Sequence, residues 1–75
     1  MAAYRIWARV ERMGAGRYAA FVCAVPTQRG TGPAVSDIRR QMASSPHVAG
    51  LLLRVMAQSL RDLITARGDR VAATV

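Results

Sequence analysis

The chain has 75 residues, enough for one small domain, and a chain of this size buries only about 60% of its unfolded surface on folding. Its single cysteine excludes a disulfide framework that could support so small a core. Its net charge of +7 comes from 11 arginines without any lysine, which either invites an anionic partner or reflects arginine-rich codon usage. We therefore expect one domain, residues 1–75, whose core is completed by self-association.

The segment from residue 4 to 13 alternates in polarity, which is typical of a strand with one covered face. A Gly-Ala-Gly sequence follows at 14–16 and favours a tight turn. Residues 17–25 are rich in aromatic and β-branched side chains and predict a second strand, which ends at Pro26 because proline cannot donate to the ladder. The two faces of the first strand are Tyr4, Ile6, Ala8 and Val10 against Arg5, Trp7, Arg9 and Glu11.

The register of this hairpin depends on the length of its loop. A two-residue loop at Ala15 and Gly16 places Val10 opposite Phe21, Ala8 opposite Cys23 and Ile6 opposite Val25. A three-residue loop places Val10 beside Ala20 and Ala8 beside Val22. We prefer the first register, although a one-residue slip would move a whole set of side chains to the other face.

Residues 27–33 read as a loop, and residues 35–43 fit a helix and a strand almost equally well. The next residues decide between them. Ser44 and Ser45 are strong N-cap types and Pro46 suits a first helical turn, so a new helix starts there. A third strand also gives a long helix a better platform than a bare hairpin does. We therefore predict a strand at 35–43.

Residues 46–67 predict one amphipathic helix, and Gly68 is placed to close it in the left-handed conformation. Gly50 inside this helix costs about 1 kcal/mol relative to alanine, or marks a site of close packing. Alternation in residues 69–75 predicts a last strand. The apolar stripe of the helix consists of Ala49, Leu52, Leu53, Met56, Leu60, Leu63 and Ile64, and Leu51 and Val55 widen it beyond the needs of one sheet face.

The predicted fold is α+β: a three-stranded antiparallel sheet packed by one long helix, with a short C-terminal strand, in the order βββαβ. The hairpin at 4–26, the Ser-Ser-Pro entry to the helix and the segment 66–75 together resemble the small domain of the HicB antitoxin family. That resemblance implies a fold related to double-stranded-RNA-binding and ribonuclease-H-like domains. It also implies a regulatory subunit that neutralises a partner protein.

The residue types that carry catalysis are sparse. The four acids are separated in sequence and fall on different predicted elements, so they form no carboxylate pair or metal set: Glu11, Asp37, Asp62 and Asp69. His47 reads as a solvated residue of the first helical turn, and Cys23 as a small core residue. We predict no enzyme activity, no metal and no cofactor.

The cellular compartment follows from the same residues. The first residues hold no secretion signal, and the longest apolar run is far short of the roughly 20 residues that span a bilayer. A lone thiol fits a reducing compartment. We therefore predict a cytoplasmic protein that does not enter a membrane.

Trp7 is the most informative residue, because a large aromatic on an uncovered sheet face usually marks a contact surface. Our leading hypothesis is an oligomer interface on surplus apolar side chains, namely Trp7, Val22, Tyr18, Leu51 and Val55. The rival is nucleic-acid binding, with phosphates on Arg5, Arg9, Arg17, Arg39 and Arg40 and bases stacked on Trp7 or Tyr18. If the register were inverted, Trp7 would belong to the core instead.

Overall fold

The computed structural model describes residues 2–27 and 37–74. Over these residues the chain forms four strands and one helix in the predicted βββαβ order. Val35 and Ser36, the first residues of the predicted third strand, lie outside the described ranges. The elements are β1 (Ala3–Gly14), β2 (Arg17–Pro26), β3 (Asp37–Ala43), α1 (Pro46–Ala66) and β4 (Arg70–Thr74).

The sheet has four strands in the order β3-β2-β1-β4. β1 and β2 pair antiparallel, as do β2 and β3, which confirms the predicted antiparallel unit. β4 lies beside β1 and runs parallel to it, with Ala3 opposite Arg70 and Tyr4 opposite Val71. The sheet is therefore mixed, and the short last strand is one of its edges.

The change from strand to helix falls at Ser45, as predicted. Ser45 is the N-cap: its backbone is extended, with φ −145° and ψ 155°, and its hydroxyl accepts a hydrogen bond from the amide of Val48. Pro46 occupies the first helical position, where its missing N–H leaves no hydrogen bond unmade. The Ser45 side chain thus satisfies a free amide of the helix at the point where the extended backbone gives way to it.

The helix ends in a Schellman motif around Gly68, which has a φ of 88°. The amide of Gly68 donates to the carbonyl of Thr65 at 3.0 Å, and the amide of Asp69 donates to the carbonyl of Ile64 at 3.1 Å. This confirms Gly68 as the closing residue and places the last helical residue at Ala66.

The core lies between the helix and one face of the sheet. Its largest fully buried side chains are Ile6 and Val22 from the sheet and Leu60 and Ile64 from the helix. Several alanines complete it, and these small side chains let the helix approach the sheet closely. The buried cluster consists of Ile6, Ala20, Val22, Ala24, Met56, Ala57, Leu60 and Ile64.

The preferred hairpin register is wrong over most of its length. Gly14 does pair with Arg17 around the two-residue loop, but the register shifts at Met13, which has no partner on β2. Beyond this bulge Val10 lies opposite Ala20 and Ala8 opposite Val22, the pairing of the alternative that we did not prefer. One extra residue in β1 therefore exchanges the two faces of β2.

Candidate interaction surfaces

The sheet face turned away from the helix carries a mixture of arginine and apolar side chains. We call it the open face. It comprises the odd-numbered positions of β1 and β2 and the even-numbered positions of β3, which the strand pairing aligns with one another. Its members are Arg5, Trp7, Arg9 and Glu11 of β1, Arg17, Ala19, Phe21, Cys23 and Val25 of β2, and Ile38, Arg40 and Met42 of β3.

Of the three sheet residues predicted for the oligomer interface, only Trp7 is on this face. Val22 is fully buried beneath the helix, and Tyr18 is half-buried on the same helix-covered side. Both were misplaced because the Met13 bulge shifts β2 by one residue. The residues brought to the open face instead are Phe21 and Cys23, both half-buried. Cys23, predicted to be a core residue, lies opposite Trp7 there.

The centre of the open face is aromatic. The Trp7 side chain is 45% exposed, so it does not belong to the core. Because Trp7 pairs with Cys23 and Arg9 with Phe21, Trp7 and Phe21 are diagonal neighbours on adjacent strands, positions about 7–8 Å apart and within reach of aromatic side chains. The Arg9 guanidinium lies 5.8 Å from the centre of the Phe21 ring. A shallow depression lined by Trp7, Phe21 and Val25 lies between these side chains.

Arginines surround this aromatic centre. Arg9 is partly neutralised, since its Nε lies 3.0 Å from Oε1 of Glu11. Arg5, Arg17 and Arg40 are exposed and form no ion pair within the described part of the chain. Arg70 joins them from β4, where it pairs with Ala3 and so shares the face of Arg5. The open face thus carries five arginines and one acid.

The neighbouring Arg39 does not belong to this set. It lies opposite Val22, so it is on the helix side of β3, exposed at the sheet edge. Four of the five arginines predicted for nucleic-acid contact, Arg5, Arg9, Arg17 and Arg40, therefore share one face. The fifth does not, because adjacent residues of a strand point to opposite sides.

A second surface lies on the helix, on the side remote from the sheet. Leu51 precedes the buried Leu60 by nine residues, or about two and a half helical turns, so it lies on the opposite side of the helix. Leu51 is 50% exposed. Val55, one turn after Leu51, is 69% exposed. Val48, about one turn before Leu51, is 42% exposed. These three residues form the apolar patch that we call the outer helix face. The sequence indicated it through Leu51 and Val55.

Asp69 joins the start of β1 to the start of β4. Its Oδ1 accepts a hydrogen bond from the Ala2 amide at 2.9 Å, and its Oδ2 accepts one from Nε of Arg67 at 3.0 Å. The Ala2 hydrogen bond, helped by Arg67 and opposed by desolvation, holds the pKa of Asp69 below its ordinary value of 3.8. The Arg67 guanidinium also lies 4.9 Å from the Tyr4 ring. This acid has a structural role.

Side chains that could bind a metal or act as an acid or base are dispersed. The described residues contain no cluster of three or more His, Cys, Asp or Glu that could hold a metal ion. Glu11 contacts Arg9, and Asp62 accepts a hydrogen bond from Gln58 at 3.0 Å. His47 is exposed in the first helical turn. The features with a distinctive geometry are therefore the two surfaces.

The one helix that the structure describes is not apolar enough over a sufficient length to cross a bilayer. The fold places the chain among small α+β domains with a mixed four-stranded sheet. Comparison with protein-family models, with curated proteins and with solved structures gave no match.

Proposed function

We propose that this chain is a non-enzymatic, HicB-like interaction module of the cytoplasm that self-associates through its outer helix face. The observation that carries the proposal is the exposure of Leu51 and Val55, one helical turn apart, on the side of the helix opposite the core. Exposed aliphatic side chains in a contiguous patch favour a protein contact. The βββαβ order supports the HicB-like part of the proposal.

The outer helix face suits a symmetric pair of helices. When two copies of α1 pack antiparallel about a two-fold axis, Leu51 of one copy can pack on Val55 of the other, and the same contact repeats on the far side of the axis. Such a contact removes both side chains from water. Each fully buried Leu or Val is worth roughly 1.5–3 kcal/mol.

Two other exposed surfaces, the open face and the β3 edge, favour self-association less. Two open faces brought together would oppose five arginines on each side, and like charges across an interface are costly. β3 is an edge strand of the described sheet and carries Arg39 and Arg40, and charged side chains on an edge strand disfavour pairing with another strand. The outer helix face is aliphatic at Leu51 and Val55, and of the described residues that line the depression beside Leu51, Arg54 alone carries a fixed charge.

Light scattering coupled to size-exclusion chromatography tests the proposal at micromolar concentration. We expect a mass of twice the 8.1 kDa chain for the wild type and the single-chain mass for the double variant Leu51→Glu, Val55→Glu. Thr65→Glu is the control for an added negative charge, because it places one such charge at an exposed polar position of the same helix.

Two results would contradict the proposal. One is a wild-type protein that remains a single chain across the micromolar range. The other is a double variant that stays associated while Trp7→Glu dissociates, which would move the interface to the open face. Circular dichroism of each variant checks that the change acts on association and not on folding.

A further inference from the structure

We infer that the open face is a platform for single-stranded nucleic acid, with bases stacked on Trp7 and Phe21 and phosphates bound by the surrounding arginines. This goes beyond self-association and uses the opposite layer of the domain. It rests on three observations: two aromatic rings on adjacent strands, four arginines around them without ion pairs in the described chain, and the placement of both sets on one sheet face that no described element covers.

The aromatic pair offers two neighbouring rings on one face of the sheet. Trp7 and Phe21 are diagonal neighbours on β1 and β2, so their rings can receive two consecutive bases of a strand that crosses the sheet. Trp7 is exposed, and Phe21 is half-buried beside it with the Arg9 guanidinium over one side of its ring. Base stacking tolerates any sequence, because every base has a π-face.

The arginines lie along the whole length of the open face, as contacts with successive phosphates of one nucleic-acid strand would require. Arg17 lies at the hairpin end of β2 and Arg5 and Arg70 at the opposite end, with Arg40 between them on β3. From Arg17 to Val25 the strand rises about 3.4 Å per residue, so the positive face is roughly 27 Å long. Arginine binds phosphate oxygens through a fixed fork of N–H donors.

The charge of the open face and its exposed rings together favour a single nucleic-acid strand as its ligand. An acidic protein surface would satisfy the arginines, but its carboxylates make no use of the aromatic centre formed by Trp7 and Phe21. A duplex keeps its bases stacked inside, so its charge would reach the arginines and leave the aromatic centre unused. An unpaired strand offers both phosphates and free base faces. RNA and DNA share this chemistry.

Fluorescence anisotropy with fluorescein-labelled oligouridine RNA, the matching DNA strand and a duplex of equal length tests the inference. We expect saturable binding of the single strands that is tighter than binding of the duplex. For single strands the log–log dependence on salt has a slope of about −0.7 for each phosphate contact, which gives roughly −2.8 for four arginines. Trp7 is the sole tryptophan, so its emission should fall on binding.

Two sets of variants distinguish a direct contact with the nucleic acid from a general effect of the protein's net charge. Arg40→Gln should weaken binding and make the salt slope shallower by about 0.7. Arg39→Gln is the matched control: it removes the same charge from the adjacent residue on the other side of the strand, and the slope should not change. Trp7→Ala should weaken binding by about five- to 150-fold, and Trp7→Tyr should restore most of it.

Four results would overturn the inference. They are an absence of single-strand binding at low salt, equal effects of Arg40→Gln and Arg39→Gln on the slope, full affinity in Trp7→Ala, and quenching of Trp7 by anionic phosphatidylserine vesicles but not by either single strand. The double variant Leu51→Glu, Val55→Glu should still bind as a single chain, so failure of the self-association proposal is distinguishable from failure here.

Discussion

The hydroxyl of Ser45 accepts a hydrogen bond from the backbone amide of Val48 at 3.1 Å. This contact lies where the extended chain of β3 gives way to α1, and it satisfies one of the free amides at the helix start. We expect Ser45→Ala to lower the free energy of unfolding by about 1 kcal/mol. Urea unfolding followed by circular dichroism measures the change.

Ser44→Ala is the control for that measurement, because Ser44 is exposed and is not the capping residue. We expect its free energy of unfolding to stay close to that of the wild type. Equal losses in the two variants would show that the serine pair acts through something other than the cap.

Two glycines of the helical segment should respond to alanine in opposite directions. A Cβ added at Gly50 meets no atom within 4 Å, so the alternative that Gly50 marks close packing is wrong. Gly50→Ala should therefore raise the free energy of unfolding by about 0.5–1 kcal/mol, through better helix propensity.

Gly68→Ala should have the reverse effect, since Gly68 has a φ of 88°, which L side chains rarely adopt. We expect a loss of roughly 1–2 kcal/mol. Thermal unfolding of both variants in the same buffer checks the pair of predictions. A gain at position 68 or a loss at position 50 would contradict the corresponding local geometry.

Acid should loosen the contact between the start of β1 and the start of β4. The pKa of Asp69 is lower in the folded protein than its ordinary value of 3.8, so the ionised form stabilises the fold. That stabilisation is complete above about pH 5 and is lost as the pH falls through the lowered folded-state pKa. We expect the melting temperature to fall in this acid range, beyond what the other acids cause.

Asp69→Asn isolates this contribution. Its melting temperature should be lower than that of the wild type at neutral pH, because the ion pair with Arg67 is gone. The difference between the two proteins should shrink as the pH is lowered below 4. A difference that stays constant across the acid range would rule out the titration of Asp69 as its source.

The parts of the fold that local chemistry specifies could be predicted from the sequence. Ser45, Pro46 and Gly68 each satisfy a requirement of their own backbone position, so the helix ends follow from single residues. The exposed Trp7 and the surplus Leu51 and Val55 followed from periodicity, which depends only on spacing within one element.

The pairing between elements could not be predicted in the same way. No residue near Met13 marks the bulge, since the shift depends on how β1 and β2 fit together and not on either strand alone. For that reason Val22 and Phe21 were assigned to the wrong faces from sequence alone. Phe21 was therefore missed as the second ring at the centre of the open face. The parallel pairing of β4 with β1 is likewise a contact between distant segments.

That parallel pairing also bears on the rate of folding. The bond between the Ala2 amide and Asp69 joins residues 67 positions apart, and the β1–β4 ladder begins beside it. Closing so long a loop costs entropy before any contact across it is gained, and chains dominated by distant contacts fold slowly. The hairpin can therefore assemble early, while the sheet acquires its fourth strand only when the two distant ends of the described chain come together.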